Sequence, residues 1–231
     1  MRRQIKEFLF PVKCHNNIIK VYSHPRSGTN YLMSLLKENF YGDADLAGCG
    51  KWGHWSNSRK TTQLIPYIKL FGNHLYPRRW YKGIYIYRDC RAVALSVWKS
   101  KYFLSSKTAG LAFSEFLRAK LDWFCTPGKK NRERYNIIEH WQKHVETWLH
   151  NKPGNIQLVR FEELVLNTEK TLKSISDEFG LDFLDGVKKV DGLVGFSPNK
   201  GKIDEWKKYF SEDDLDFFHS IIPKDHPCLS E

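Results

Sequence analysis

Three β-type runs that alternate with helix-like stretches constrain the fold of this chain most strongly. The runs cover Ile18–Ser23, Gly83–Tyr87 and Asn155–Phe161, and they are rich in β-branched and aromatic residues. Parallel strands need long crossover connections between them, and these are usually helices. The order of the segments therefore predicts an α/β fold with a central parallel β-sheet flanked by helices.

Helical spacing lies between and after these runs. Apolar residues recur at intervals of three and four in Tyr31–Asn39 and in Ile137–His150, which is the pattern of an amphipathic helix. Asp89 and Asn167 stand where N-caps are needed for the helices that follow the second and third runs, and Gly180 is a suitable helix end. The sequence thus predicts crossover helices and a helix after the third strand.

Other parts of the chain have a less regular pattern. The glycine-containing stretch Tyr41–Thr62, the aromatic stretch Lys99–Arg134 and the stretch 190–202 are expected to be loops. Loops of this length in a compact domain are usually functional or mobile. Ser211 is followed by three acidic residues, which predicts a last short helix with an N-cap.

Length and composition favour one domain. The chain has 231 residues, and neither a repeat nor a linker divides it, so we expect residues 1–231 to form a single domain. Hydrophobic residues make up 41% of the chain, which is enough to bury a core and too much for a disordered segment.

No membrane span or secretion signal is visible in the sequence. No stretch approaches the roughly 20 apolar residues of a membrane helix, and the N-terminal apolar run is short. The five cysteines are scattered and form no CxxC pair, so we expect reduced thiols rather than a disulfide framework or a zinc site. These features favour a cytoplasmic location.

The charge balance points to an anionic partner. The chain carries 37 Lys and Arg against 26 Asp and Glu, a net charge of +11. Such an excess suits a nucleic acid, an anionic membrane surface or a small molecule that bears phosphate. Net charge alone does not distinguish these partners, so the distinction rests on the sequence motifs.

The segment HPRSGTN, residues 24–30, has the composition of a phosphate-binding loop. It lies between the first strand and the first helix, where backbone N–H groups form an anion site. Gly28 lets the backbone approach a phosphate, Ser27 and Thr29 add hydroxyl groups, and Arg26 adds a fixed positive charge. The Walker A pattern is absent, which separates this loop from that of ordinary nucleoside-triphosphate enzymes.

Two further segments carry groups that suit a phosphate. Arg88 leaves the second strand, and Ser96 follows eight residues later within the next helix, so both can reach one anion above the sheet edge. Asn199, Lys200 and Gly201 form a basic loop shortly before Trp206. Taken singly, an Arg at a strand end and a Lys-containing loop are more often structural. The combination of these segments is what indicates phosphate binding.

In this order the segments resemble the sulfotransferase family that uses 3′-phosphoadenosine 5′-phosphosulfate (PAPS). The resemblance rests on PRSGTNYL, YRDCRAVALS, VRFEELVLNTEKTLKSISDEFGL and NKGKIDEWKKYF, which run from about Val21 to Phe210. It implies a P-loop-like three-layer α/β/α sandwich and transfer of a sulfuryl group from PAPS to a hydroxyl or amine of a small-molecule or carbohydrate acceptor. The product would be adenosine 3′,5′-bisphosphate (PAP), with no metal, nucleic acid or membrane span expected, and the acceptor and oligomeric state are left open.

The resemblance also assigns residues to the donor nucleotide. It places Arg26, Ser27, Gly28, Thr29 and Asn30 at the 5′-phosphosulfate, and Arg88, Ser96, Lys200 and Gly201 at the 3′-phosphate. Tyr31 stands where cytosolic members have an adenine-stacking Trp, and Phe161 stands where the family has a Tyr that contacts the adenine.

Three departures from the family pattern bear on the donor site. Asn199 replaces an Arg and removes one 3′-phosphate contact, while Phe161 lacks the hydroxyl of a Tyr. Arg26 replaces the Lys of cytosolic members. Because an Arg side chain keeps its proton, Arg26 can stabilise charge on the leaving oxygen but cannot act as an acid.

His74 is the candidate general base. It follows the apolar run at Leu70 and Phe71, 14 residues before Arg88, and so is expected at a strand end beside the phosphate motifs. Its surroundings, NHLYP, resemble the KTHLP segment of cytosolic sulfotransferases, which holds a catalytic His. Members that modify carbohydrates use a Glu instead, so an acidic base is the alternative.

His140 and His144 are four residues apart on one helix and invite comparison with a metal site. No third ligand accompanies them, and a Trp stripe runs alongside, so core packing is the favoured interpretation. Two other functions stay open: a Mg²⁺-dependent P-loop kinase-like phosphotransferase and a basic nucleic-acid-binding module. The loop ends in Gly28-Thr29-Asn30 rather than Lys-Ser or Lys-Thr, and no nucleic-acid signature appears.

Overall fold

Four parallel strands form the sheet of this computed structural model. The structure describes residues 19–42, 70–73, 83–101, 104–121, 135–150, 156–190 and 202–229. Within them the strands are β1 (Ile19–Ser23), β2 (Leu70–Asn73), β3 (Gly83–Tyr87) and β4 (Ile156–Arg160), in the spatial order β2-β1-β3-β4. All three neighbouring pairs are parallel, with Val21 beside Ile84 and Ile84 beside Gln157.

The strand order places β1 at the point where the connections diverge. From β1 the chain passes first to β2 on one side and then across to β3 on the other. The loops that follow β1 and β3 therefore leave the same edge in opposite directions. In open α/β sheets the crevice outside such strand ends is where ligands bind.

Helices connect and cover the strands. They are α1 (Thr29–Leu36, continued by a π-helical turn at Lys37–Tyr41), α2 (Cys90–Ser100), α3 (Ser106–Ala109), α4 (Phe113–Arg118), α5 (Ile137–His150), α6 (Phe161–Leu166), α7 (Thr168–Phe179), a 3₁₀ turn (Glu205–Lys208) and α8 (Glu212–His219). Among the described residues, no helix combines the length and the apolar character needed to cross a membrane.

The side chains of the sheet enter two separate cores, one on each face. Tyr22 and Tyr85 lie on the face covered by α2, α4, α5 and α8, whereas Val21, Ile84 and Ile86 lie on the face covered by α1 and α7. The alternation follows from the two-residue period of a strand. This is a three-layer α/β/α arrangement, and it confirms the predicted fold class.

The caps of three helices show how the sequence sets their ends. The Asp89 carboxylate accepts the Arg91 N–H at 2.8 Å, and Ser211 Oγ accepts the Asp214 N–H at 3.1 Å, as predicted. Gly180 ends α7 with a φ of +60°. Asn167 occupies the N-cap position of α7, but its side chain donates to Glu163 Oε2 at 3.0 Å instead of capping the helix.

Two predictions about irregular segments need correction. The stretch Lys99–Arg134 was expected to be a loop, yet it contains α3 and α4, and α2 extends into it as far as Ser100. The chain also turns helical directly after β4, at Phe161, and not only at Thr168. Short amphipathic segments such as Phe113–Arg118 give too few residues for a periodic pattern to be recognised. The expected loop Tyr41–Thr62 lies outside the described residues from position 43 onward.

Candidate active site

The loop between β1 and α1 is closed by short polar contacts. The Ser27 N–H donates to the His24 carbonyl at 3.2 Å, and the hydroxyls of Ser23 and Thr29 are 2.5 Å apart, which joins the strand end to the first helical residue. Gly28 has a φ of +92° at the N-cap of α1, a conformation that glycine adopts without strain. The loop thus presents backbone N–H groups at the start of a helix.

Arg26 connects this loop to α2. Its φ of +68° is unusual for a residue other than glycine, and its side chain crosses to α2, where Nε donates to Ser96 Oγ at 3.0 Å. Burial lowers the pKa of Arg26, but a guanidinium remains charged at neutral pH. Arg26 and Ser96, predicted for two different phosphates of one nucleotide, are therefore in direct contact.

Arg88 extends from the end of β3 into the same region. It is only 3% exposed, and Nη2 donates to the Lys202 carbonyl at 2.8 Å. Its own carbonyl accepts the Trp141 indole N–H at 3.1 Å, which ties the strand end to α5. Burial lowers the pKa of Arg88 to about 10, while the carboxylates of Glu162 and Asp89 act in the opposite direction.

Phe161 packs between the two segments predicted to bind phosphate. Its ring centre lies 4.5 Å from the Arg88 guanidinium carbon, a cation–π distance. A Cβ atom at Gly28 would lie 2.6 Å from Phe161 Cε2 and closer still to Cδ2, so the ring touches the loop backbone. The Tyr31 ring meets it edge to face with centres 6.1 Å apart. Phe161 therefore packs against both the loop and Arg88.

A cavity of about 200 Å³ opens between the loop, α2 and the 3₁₀ turn. Its polar lining consists of four cations, two hydroxyls and one carboxylate: Arg26, Arg88, Lys99, Lys202, Ser96, Ser100 and Glu205. Ala92 and Leu95 of α2 and the ring of Trp206 supply its apolar wall. Four positive charges against one negative charge make this a site for an anion.

Two buried donors of the residues predicted to bind phosphate lack a hydrogen-bond partner among the described residues, as does the indole N–H of Trp206 in the cavity wall. The two are Ser27 Oγ, in a residue with no solvent exposure, and Arg88 Nε. An unsatisfied buried polar atom costs about 1–3 kcal/mol. Both donors fit an anionic oxygen, as a phosphate or a sulfate would provide.

A pair of histidines supports the loop from beneath. His24 is fully buried and donates from Nδ1 to the Pro25 carbonyl, because a carbonyl only accepts, at 2.9 Å. Its Nε2 lies 3.0 Å from His140 Nδ1 on α5. His144, one turn further on, is 3.0 Å from the Tyr85 hydroxyl. No group of three or more metal-ligand side chains occurs in the part of the chain that the structure describes.

Three predicted site residues lie outside the described residues. They are His74, Lys200 and Gly201. β2 ends at Asn73, directly before His74, and Lys202, directly after Gly201, lines the cavity. Asn199 is likewise outside the described ranges. Of the other predicted residues, Asn30 and Tyr31 lie in the first turn of α1 and are half-buried.

Lys99 and Glu205 line the cavity but were not singled out in the sequence. Lys99 lies three residues after Ser96 on α2, and this spacing puts both on one face of a helix. That spacing was the sequence feature that could have predicted Lys99 as a site residue. Glu205 had none, because its place beside α2 arises from a contact between distant parts of the chain.

Comparison with known protein families identifies the chain. The family model described as "Sulfotransferase domain" matches residues 77–192, half of the chain. The chain belongs to the sulfotransferase family. The matched part of this sulfotransferase includes Arg88, Ser96 and Phe161, while the loop at residues 24–30 lies upstream of it. No curated protein sequence gives a significant match.

Solved structures of other sulfotransferase-like proteins share the fold. A mouse sulfotransferase, SULT7A1, crystallised with PAP, has a TM-score of 0.61 and 17% identity, covering 90% of this chain and 82% of that one. Retinol dehydratase with androsterone and PAP gives a TM-score of 0.57 at 16% identity, covering 98% and 87%. Retinol dehydratase with retinol and PAP has the same TM-score and identity and covers 100% of this sulfotransferase and 88% of that chain.

Proposed function

We propose that this sulfotransferase takes PAPS as its donor and transfers the sulfuryl group to a hydroxyl or amine of a small-molecule or carbohydrate acceptor. The observation that carries the proposal is the convergence of Arg26, Arg88 and Ser96 at one cationic cavity above the carboxyl edge of a parallel sheet. The mouse and retinol dehydratase structures of the same fold contain PAP. Two of them also contain androsterone or retinol, which supports an alcohol of small-molecule size as the acceptor.

The residues present fit a nucleotide with two phosphate groups. The loop at residues 24–30 and the side chain of Arg26 would hold the 5′-phosphosulfate. Arg88 and Ser96 would hold the 3′-phosphate, together with Lys200 and Gly201. The buried unpartnered atoms Ser27 Oγ and Arg88 Nε then gain the acceptors that they need.

The reaction needs an in-line displacement. The acceptor oxygen or nitrogen bonds to sulfur while the bond from sulfur to the phosphate oxygen breaks, the acceptor proton passes to a base, and PAP leaves. As in phosphoryl transfer, positioning and charge stabilisation supply most of the rate. Arg26 stabilises the negative charge that develops on the leaving oxygen. His74 is the proposed base because imidazole titrates near neutral pH.

The donor proposal is tested by thermal unfolding with PAP, with 5′-AMP and with ATP plus Mg²⁺. At 100 times its dissociation constant a ligand stabilises a protein by about 2.7 kcal/mol, which raises the melting temperature by about 5–10 °C in a chain of this size. We expect PAP to give a shift of this size and ATP plus Mg²⁺ to give none. A shift with ATP plus Mg²⁺ alone would indicate a kinase-like enzyme, and salt-dependent oligonucleotide binding without a PAP response would indicate a nucleic-acid-binding module.

Thermal unfolding of Ser96→Ala with PAP and with 5′-AMP tests the proposed 3′-phosphate site. Removing the hydroxyl should weaken PAP binding more than 5′-AMP binding, since only PAP carries the 3′-phosphate, while the lost contact with Arg26 affects both ligands. Arg88→Ala should weaken PAP binding more strongly. Because Arg88 is buried, the folding of this variant must be checked first. The matched control is Ser174→Ala, an exposed serine on α7. Equal losses of PAP and 5′-AMP binding in Ser96→Ala would reject the 3′-phosphate assignment.

His74→Ala tests the base. We expect turnover to fall by roughly 10²–10⁴-fold, the usual size of a general-base effect, with PAP affinity unchanged. Turnover is measured with PAPS and an acceptor found by screening phenols, steroid alcohols and sugars. The control is His150→Ala, at the exposed end of α5. Activity within about twofold of the unaltered protein would remove His74 from the mechanism and leave an acidic residue as the base.

A further inference from the structure

The cavity has a wall that the assigned phosphate residues do not account for. Lys99, near the end of α2, and Glu205, in the 3₁₀ turn, both line it beside Arg88 and Ser96. Lys99 lies outside the segments that carry the sequence resemblance, and Glu205 lies within NKGKIDEWKKYF but is assigned no nucleotide contact by it. Their opposite charges and short separation indicate their role in the cavity.

Lys99 and Glu205 form an ion pair within the cavity wall. Lys99 Nζ is 2.9 Å from Glu205 Oε1, and Lys202 Nζ is 3.8 Å from the same oxygen. The Lys99 and Glu205 side chains are 35% and 25% exposed, so the pair lies at the solvent-facing side of the cavity. The hydrogen bond from Lys99 lowers the pKa of Glu205, and the carboxylate is therefore ionised at neutral pH. One carboxylate thus faces two ammonium groups.

The position of Lys99 suits the phosphate that Arg88 and Ser96 are proposed to bind. It lies one helical turn from Ser96 on the same face of α2. An ammonium group has three donors, so Lys99 can bond phosphate oxygens once the phosphate displaces Glu205. The Tyr209 ring, with its centre 4.3 Å from Lys99 Nζ, helps to hold the side chain in this place.

Glu205 has the opposite effect on an anion. A carboxylate beside the phosphate position repels it, and it also neutralises part of the charge on Lys99 and Lys202. With no anion bound, that same carboxylate offsets the repulsion between the two ammonium groups. Glu205 is therefore an internal counterion, and it competes with the nucleotide for the lysines.

We propose that Lys99 is a further ligand of the nucleotide 3′-phosphate and that Glu205 is the counterion which that phosphate displaces. The inference rests on the proposed use of PAPS. It adds one cation to a donor site whose sequence motif has Asn199 in place of the family's Arg. Glu205 weakens the binding of PAP and so favours release of this product.

Two charge-removing variants with matched controls test the inference. Lys99→Gln should weaken PAP binding about tenfold and change 5′-AMP binding less than twofold. Glu205→Gln should tighten PAP binding several-fold. The controls are Lys101→Gln, which removes an exposed charge two residues away, and Asp204→Asn, which removes a neighbouring acid paired with Lys207. Neither control residue lines the cavity.

The outcomes separate this inference from the function on which it rests. If the unaltered protein binds PAP but Lys99→Gln binds it as well as Lys101→Gln does, Lys99 is not a ligand. If Glu205→Gln weakens PAP binding, Glu205 positions the lysine and is not a competing counterion. If the unaltered protein binds no PAP, the donor assignment and this inference both fail. Melting temperatures without nucleotide show that each variant folds.

Discussion

The contact between Gly28 and Phe161 shows how single residues join the site. The Phe161 ring occupies the space beside the Gly28 Cα and lies beneath the Arg88 guanidinium. A Tyr at this position would add a hydroxyl at the ring end. The apolar ring present here is 3% exposed, so its main effect is to fix the loop and the Arg88 side chain relative to each other.

Gly28→Ala should damage both stability and nucleotide binding. The new methyl group would meet the Phe161 ring at 2.6 Å or less, and a φ of +92° is strained for any residue with a Cβ. We expect at least tenfold weaker PAP binding, measured by titration calorimetry, together with a lower melting temperature.

Gly186→Ala is the matched control for this change. Gly186 also has a positive φ, +67°, but open space surrounds its Cβ position. Gly186→Ala should lower the stability only by the backbone strain, about 1–2 kcal/mol, and leave the PAP affinity unchanged. Equal PAP affinity in the two variants would show that the ring contact at Gly28 does not shape the nucleotide site.

At the scale of elements, α4 and α8 are joined by a half-buried charge cluster. Asp214 in the first turn of α8 accepts hydrogen bonds from Ser114 Oγ at 2.7 Å and Arg118 Nη1 at 2.6 Å. Arg118 also contacts Asp213 at 2.6 Å. The Asp214 side chain is 1% exposed and that of Asp213 is 87% exposed. The two carboxylates therefore differ in environment while they share one partner.

Asp214→Asn should destabilise the protein in a pH-dependent way. Burial acts to raise the pKa of Asp214, but hydrogen bonds from Arg118, Ser114 and Ser211 outweigh it and hold the pKa below its ordinary value. A depressed carboxyl pKa gives stability that is present above about pH 5 and is lost as the pH falls through 4 and below. We expect a loss of about 1–3 kcal/mol at pH 7.

Denaturant unfolding at pH 7 and at pH 3 measures this effect. The difference between the unaltered protein and Asp214→Asn should shrink at pH 3, because the carboxyl of the unfolded chain takes up its proton before the native carboxyl with its lowered pKa. Asp213→Asn is the control, and exposed ion pairs of this kind contribute about 0–1 kcal/mol. A loss at pH 3 as large as that at pH 7 would contradict the role of the Asp214 charge.

At the scale of the whole molecule, the site forms where one sheet divides two cores. The loop after β1 leads to α1 on one face, and Arg88 leads to α2 on the other. Arg26 then crosses back to Ser96 of α2. The net charge of the chain is +11, and a positive field of this kind speeds the arrival of an anionic nucleotide and weakens as salt is added.

Much of this architecture was predictable because local patterns determine it. The strand at Gly83–Tyr87 and the helix at Ile137–His150 match their predicted bounds, and the other two predicted strands agree within one residue at each end, whereas no bounds were predicted for β2. Strong periodicity and capping residues such as Asp89 and Ser211 mark these elements clearly. The short helices α3, α4 and α6 escaped prediction because their few residues depend on tertiary packing for stability.

The sequence by itself determined the succession of most strands and helices along the chain and the motifs predicted to bind phosphate, because both depend on residues close together in the chain. The tertiary structure alone decided which distant side chains share one cavity. Arg26 meets Ser96 across 70 positions, and Phe161 reaches both Gly28 and Arg88. Lys99 finds Glu205 more than 100 positions away. Such pairs follow from the strand order and the packing of the layers, which bring together residues that no local pattern connects.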